Sequence, residues 1–384
     1  MHINLFDPPQ IRENLLPFTF TRPVACIRIG IMTIAEKWEK YGFHIGFETQ
    51  EYLGKKFQAL PTNVKVNGAL CPSKELSEAI LELSADTKLV SGNTVLAISE
   101  NGSTAVNFEG AFRMISQPWE IFQFNKEQIE ADFALITQGR TSQPITDPHT
   151  VVYGKENVFL EEGASIRAAI INAENGPVYI GKNAHVHEGA IISGAFALCE
   201  GSHVNMGAKI KGDSTVGPHS KVGGEVSNSV IFGFTNKGHD GFLGNSVIGE
   251  WCNLGADTNT SNLKNNYAPV KLWNYTSERF VQTGLQFCGL MMGDHAKCGI
   301  NTMFNTGTVV GVGANVFGAG FPKNFIPSFS WGGSSGLITF QSRKFYEVAE
   351  AVMQRRGLTF DDTEKEIIDR IFDITAQYRT WDKK

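Results

Sequence analysis

Apolar positions recur through the middle of this chain at a fixed interval of six. Aliphatic side chains stand at Ile180, Val186, Ile192, Leu198, Val204, Ile210, Val216 and Val222, and the interval returns at Met292, Cys298, Phe304, Val310 and Val316. Four residues after each aliphatic comes a mostly small residue, as at Ala184, Ala190, Ser202, Ala208, Ala296 and Ala314, with Phe196 the bulky exception. In extended backbone, residues two apart share a face, so each small residue and the aliphatic that follows it point the same way. The intervening positions are rich in Gly, Asn and Asp, which tolerate the positive φ of a sharp corner. A short strand and a corner every six residues predict a three-sided coil of about eighteen residues, repeated and stacked. Leu160 and Ile166 begin a weaker early stretch, and Ile248 and Leu254 stand in the gap. The period lapses between Val226 and Ile248, and the Asn-rich segment 257–285 is expected to leave the coil as a loop.

The flanks are built differently. Residues 1–150 alternate strand-like pieces, HINLF and NTVLAIS, with helical ones, TIAEKWEKYG and KELSEAILELS, which predicts an α/β layer. Residues 340–384 carry two stretches with i, i+3, i+4 apolar spacing, the second opened by Asp361 or Asp362 as a cap, and predict amphipathic helices. Three segments result: an α/β domain at 1–150, a repeat domain at 151–339 and a helical tail at 340–384. Composition agrees, since of 40 glycines thirty fall in residues 154–339.

Charge and cysteine usage narrow the function. The net charge is −5 and no Lys/Arg run would neutralise several phosphates, so nucleic acid is not the expected partner. No apolar stretch approaches the ~18 residues of a membrane span, and the amino terminus carries charges and prolines where a signal peptide needs an apolar block. The expectation is a cytoplasmic protein without a membrane partner. The six cysteines form no CxxC pair and no metal-ligand spacing, which suits reduced, packed thiols.

The lapse in the repeat, EVSNSVIFGFTNKGHDGFLGNSVIGEWCNLGADTNTSN, resembles the acetyltransferase half of the bifunctional UDP-N-acetylglucosamine pyrophosphorylase/glucosamine-1-phosphate N-acetyltransferase family. In that family a glutamate is followed fourteen residues later by a histidine, then a Tyr-aliphatic-Gly, a Gly-Ala repeat end and an asparagine. Here these fall on Glu225, His239, Phe242, Gly255-Ala256 and Asn262. The resemblance implies a left-handed parallel β-helix that assembles as a homotrimer, with acetyl-CoA as cofactor and an amino-sugar phosphate as acceptor. It implies that His239 is the general base for the sugar amine, since a histidine is neutral yet basic near pH 7. Glu225 would orient or charge-balance the site, and Asn262 would hold the sugar or the developing oxyanion. Ala256, Gly299 and Ala314 would border the acetyl-CoA cleft, with Lys264, Lys271 and Arg279 as phosphate contacts. The family's phosphate-binding lysine is Ser227 here, its tyrosine is Phe242, and Lys211 occupies the place of a family arginine.

The opening of the chain is similar to sugar nucleotidyltransferases, on the strand Ile3–Phe6, Arg12, Leu16-Pro17-Phe18-Thr19 and Arg22-Pro23. The resemblance makes Arg12, Arg22, Arg28 and Lys37 candidate nucleotide or phosphate ligands. The family's Gly-rich loop is Asp7-Pro8-Pro9-Gln10-Ile11, whose prolines remove two backbone donors, and its magnesium-binding Asp is Ala69. Mg²⁺ and a nucleotide such as UTP are expected only if this domain is active. Two alternatives stay open: a sugar-1-phosphate uridylyltransferase whose β-helix only trimerises it, and a non-catalytic sugar-nucleotide-binding scaffold. His185, His187 and His203 are expected on the outer face, and no metal is assigned to them because the HxxxxH pair of hexapeptide-repeat carbonic anhydrases is absent.

Overall fold

A computed structural model describes residues 1–382. The chain divides into two compact units, residues 1–27 with 32–118, and residues 28–31 with everything from Trp119 onward.

The first unit is an α/β layer. Its six-stranded sheet runs, in spatial order, His44–Glu48, His2–Phe6, Val64–Asn67, Thr94–Ser99, Thr87–Ser91 and Thr104–Asn107. His2–Phe6 pairs in parallel with both neighbours, and a strand so placed is buried on both faces. Ile3 and Leu5 are therefore fully buried, and so is Asn4, whose side chain exchanges two hydrogen bonds with the Leu60 backbone at 2.8 and 3.0 Å. The helix Ile34–Lys40 is closed by a capping box between Thr33 and Glu36, and Lys74–Leu81 is capped by Ser73.

The second unit is a left-handed parallel β-helix. Three sheets form its faces. The first begins with Val151–Tyr153, Ile170–Asn172 and Ile191–Ser193, the second has nine strands from Val158–Leu160 to Phe325–Ile326, and the third has ten from Ser165–Ile166 onward. Pairing is in register at the hexapeptide positions: Val186 stacks on Val204 and Val204 on Val222, each eighteen residues on. The aliphatics and their small partners form one continuous apolar column inside the coil.

The lapse between Val226 and Ile248 is not a break. Val226, Ile231, Leu243 and Ile248 all keep their places in the column, and the ladder continues through Glu225–Ser227, Val230–Gly233, Asn236–Lys237 and Phe242–Gly244. The corners are shortened, so Val222 pairs with Lys237 only fifteen residues on while Val226 pairs with Leu243 seventeen on. The excursion also starts later than the sequence suggests. Asn259–Thr260 still pairs with Met303–Phe304, and the chain then leaves the ladder until Leu290–Met292, folding the antiparallel hairpin Lys271–Asn274/Arg279–Gln282 on the way.

One corner departs from the Gly/Asn/Asp expectation. His219, Phe234, Trp251 and His295 all hold positive φ, between 51° and 61°. Their rings stack in succession, Phe234 on Trp251 with centroids 4.3 Å apart and planes 9° from parallel, and the ring contacts offset the backbone strain.

The segment expected as a single domain to residue 150 is divided. The helix Asn125–Thr137 belongs with the coil because Asn125 accepts from Gly30 N at 2.7 Å and donates to Asp213 O at 2.9 Å, Asp132 accepts from Ile31 N at 2.8 Å, and Phe133 packs edge-on against Phe159. At the far end, the helices Ser342–Gln354 and Asp362–Ile374 cover the last coil through Phe345 and Phe372, both against Phe329. Asp361 caps the second of these by accepting from Glu364 N at 2.9 Å. Among the described residues, no helix is long and apolar enough to cross a membrane.

Candidate functional site

The outward residues of the first face meet a stack of corners, and most of the candidate acyl-transfer residues gather there. Along the face, Lys209 pairs with Glu225 and Glu225 with Phe242, while Lys211 pairs with Ser227 and Ser227 with Gly244. The Lys211 ammonium donates to Glu225 Oε1 at 2.6 Å, so the two charged candidates neutralise one another. The Phe242 ring lies across Gly244, where an added Cβ would meet it at 2.4 Å, and Asn262 closes on the same glycine. The Asn262 amide donates to Asn245 Oδ1 at 2.8 Å, which fixes its orientation.

His239 stands exposed at the corner Gly238–Gly241 that leads into the Phe242 strand. The corner above is Gly223-Gly224 and the corner below is Gly255–Thr258. Backbone bonds tie the three: Gly223 N to Lys237 O, Glu225 N to Gly241 O, and Asp257 N to Asp240 O. Glycine is required at Gly241, with φ of 115° and the Thr258 carbonyl 2.1 Å from where a Cβ would lie. Ala256 and Gly299 occupy successive corners below His239, linked through Asn301 N to Ala256 O. Ala314 does not join them. It is fully buried in the apolar column, because it is the inward small residue of its hexapeptide, and its side chain borders no cleft.

The sequence reading missed Lys237, which is two residues from His239. It occupies an inward position, between Val222 and the Leu254 coil, where every other coil places an apolar residue on this face, and it is 2% exposed. Its ammonium donates to the His239 carbonyl at 2.5 Å. Burial pushes its pKa down to about 8, against the pull of Asp240. Counting six from Ile231 would have revealed it, had the segment been kept in register.

Of the phosphate candidates on the excursion, Lys264 and Lys271 line one cavity of about 610 Å³, together with Lys323. Arg279 does not. It pairs with Asn274 at the opposite end of the hairpin from Lys271.

The first-unit candidates are taken up by the fold. Arg12 is 8% exposed and donates to Thr19 O and Tyr52 Oη, both at 2.8 Å, and its Nε lies 3.6 Å from Asp7. Asp7 also accepts from Val24 N at 2.8 Å and Thr49 Oγ1 at 2.6 Å, and burial raises its pKa in spite of these bonds. Arg22 and Lys37 are buried at 5% and 2%. Arg28 belongs to the second unit, where its guanidinium donates to Phe232 O at 3.0 Å and Ile31 O at 2.5 Å. None of the four lies open to a ligand. Ala69, at the place of the magnesium ligand, is fully buried and offers no side-chain oxygen, and Asp7 is committed to its own partners, so these residues do not fit a magnesium ion.

His185 and His203 stack on the third face as expected, with ring centroids 5.0 Å apart. His187 Nε2 lies 3.0 Å from His203 Nδ1, and burial, followed by the charge of Lys221, lowers the His203 pKa to about 4. The His203 ring is therefore neutral near pH 7. Among the described residues, no three His, Cys, Asp or Glu side chains are grouped to hold a metal ion.

With this geometry in view, residues 3–141 match the sugar nucleotidyl transferase family model. The bifunctional protein GlmU of Methanocaldococcus jannaschii is 29% identical over 266 residues, 67% of this chain and 57% of that protein. A bifunctional sugar-1-phosphate nucleotidylyltransferase/acetyltransferase of Sulfurisphaera tokodaii is 27% identical over 214 residues, 55% of this chain and 46% of that protein. The chain is similar to these bifunctional proteins. It spans about half the length of the curated relatives it matches. Among solved structures, the UDP-N-acetylglucosamine acyltransferase of Campylobacter jejuni covers 62% of this chain and 84% of its own at 16% identity and a TM-score of 0.25, too loose a superposition to argue from.

Proposed function

We propose that this protein is a CoA-dependent N-acetyltransferase acting on an amino-sugar phosphate, fused to a sugar-nucleotidyltransferase-like domain. The observation that carries the reading is the corner Gly238–Gly241, which presents an exposed histidine beside a face bearing Glu225, Phe242 and Asn262. In this reading the acceptor amine attacks the thioester carbonyl of acetyl-CoA. His239 takes the amine proton, the C–N bond forms, the C–S bond breaks, and the proton passes from His239 to the departing sulfur, so that CoA leaves as the thiol. Asn262, held by Asn245, faces the acceptor or the developing oxyanion, and Lys211, balanced by Glu225, replaces the positive charge lost at Ser227. No cysteine nucleophile is needed, and burial raises the thiols of Cys252, Cys288 and Cys298, which keeps them protonated.

The reading places the protein in the cytoplasm as a homotrimer. Free, mostly buried cysteines support the compartment, and the stacked, exposed Val151, Ile170 and Ile191 of the first face support a contact between copies. His239→Ala should lower acetyl transfer by about 10²–10⁴-fold, the usual contribution of a general base, with the thermal transition unchanged because the side chain is exposed. A thiol-release assay showing an unimpaired rate would sink the assignment. Pyrophosphate release from UTP and a sugar 1-phosphate tests the rival uridylyltransferase reading, for which the buried Arg12, Arg22 and Lys37 and the apolar Ala69 offer no support.

A further inference from the structure

The corner that carries His239 is held at each of its carbonyls. Lys237 O accepts from Gly223 N at 2.7 Å, Asp240 O from Asp257 N at 3.0 Å and Gly241 O from Glu225 N at 3.1 Å, all bonds between neighbouring coils. The two carbonyls between them are taken by side chains. Asn205 reaches past Gly223 to donate to Gly238 O at 2.7 Å, and the Lys237 ammonium donates to His239 O at 2.5 Å. Among the described residues, no backbone N–H donates to the His239 carbonyl, so the lysine is what holds it.

That bond bears directly on where the imidazole lies. The His239 side chain is exposed, so packing does not fix it and its place depends on its backbone. The backbone runs between Gly238 and Gly241, the second at φ 115°, and glycine brings a freedom that a reacting group must be denied. For the coil itself the lysine is a poor choice. It is 2% exposed among the apolar residues of the column, and burial disfavours its ammonium. A residue that breaks a local rule of the fold beside a reacting group marks a functional constraint.

We propose that Lys237 is the positioning residue of this site: its ammonium, fixed to the His239 carbonyl, sets the corner from which the imidazole meets the acceptor amine. This rests on His239 acting as the base in the reading above. Enclosed in the coil, the lysine reaches no substrate and acts through the backbone of His239.

The test compares Lys237→Met with a matched control. Lys297 is also lowered to about 8 by burial, and it also donates to a carbonyl two residues away, that of His295 at 3.0 Å, at a different corner of the coil. Lys297→Met therefore removes the same kind of charge and bond without touching the His239 corner. Thiol release from acetyl-CoA with glucosamine 1-phosphate is measured on the full chain, with thermal transitions confirming that each variant is folded. The kcat of Lys237→Met should fall by about ten- to a hundredfold with both KM values within about twofold, while Lys297→Met keeps the wild-type kcat. In a His239→Ala background Lys237→Met should have no further effect, because no imidazole is left to place. Hydrogen exchange reads the corner without turnover: the amides of Gly223, Glu225 and Asp257, which donate into it, should exchange faster in Lys237→Met and not in Lys297→Met. Full activity in His239→Ala overturns the base assignment and the role of Lys237 with it. An inactive His239→Ala beside a Lys237→Met of wild-type kcat overturns the positioning role alone, and so does an equal loss of kcat in Lys237→Met and Lys297→Met, the mark of a general disturbance of the coil.

Discussion

Replacing Lys237 by methionine should make the protein more stable near neutral pH, although it deletes a 2.5 Å hydrogen bond. The side chain lies inside the coil, 2% exposed, and burial brings its pKa from 10.5 to about 8. Below pH 8 both the folded and the unfolded chain carry the proton, and the folded state bears the full cost of the buried charge. Between pH 8 and 10.5 the unfolded chain still holds a proton that the folded chain has released, so this residue makes wild-type stability rise with pH; above 10.5 its cost is gone. A fall from 10.5 to about 8 corresponds to about 3 kcal/mol, an upper bound because the His239 carbonyl favours the charged form. Methionine fills the apolar column without a charge and escapes that cost. Urea unfolding of both proteins from pH 7 to 10 should show the variant ahead by up to about 3 kcal/mol at pH 7, with the gap closing as pH rises. Taking the difference between the two proteins cancels the buried Lys297 and the thiols of Cys252 and Cys288, which titrate alike in both. A variant that is less stable at pH 7 by an amount constant to pH 10 would refute the reasoning, because the lysine would then be held by its hydrogen bond without a desolvation cost.

Other substitutions separate structural from chemical roles. Lys211→Met should change stability by less than about 1 kcal/mol, since the lysine of its ion pair is 64% exposed, while raising the KM for the sugar phosphate. Arg12→Ala should cost the first unit about 3–5 kcal/mol by leaving Asp7 buried without its counter-charge, as read by urea unfolding. Thr33→Ala removes the capping box and should lower stability by about 1 kcal/mol, measurable by the same titration. Ile192→Ala, at a fully buried place in the column, should cost about 2–5 kcal/mol, and no loss by thermal unfolding would count against a packed coil interior.

The coil was legible in the sequence because each residue of a hexapeptide has one dominant duty. Ala184 and Val186 face inward, and Asn183 turns the corner at φ 53°. Legibility failed where two duties compete. Lys237 breaks the apolar column without leaving it, so a residue that continues the ladder reads as an interruption. Phe234 and Trp251 turn corners that glycine or asparagine would turn with less strain, and only their stacked rings, invisible to a local pattern, explain the choice. Site chemistry was harder still. Lys264 and Lys323 share a wall although 59 positions apart, a proximity created by the excursion and the last coil together. Arg12, Arg22 and Lys37 stand where nucleotide ligands would be expected, yet burial shows them serving the fold.

The excursion leaves the ladder after Thr260 and returns at Leu290, directly into the next position of the second face, so the strands on either side of it never lose register. Its length is therefore uncoupled from the coil. Lengthening such a loop costs only the logarithm of its size, about 0.6 kcal/mol for each doubling. Descendants of this chain are free to redraw the lysine-lined cavity by insertion, deletion or exchange of the hairpin while His239, one coil above the point of departure, stays where it is. The shape of the hairpin and the corner that carries His239 can thus change on separate evolutionary schedules.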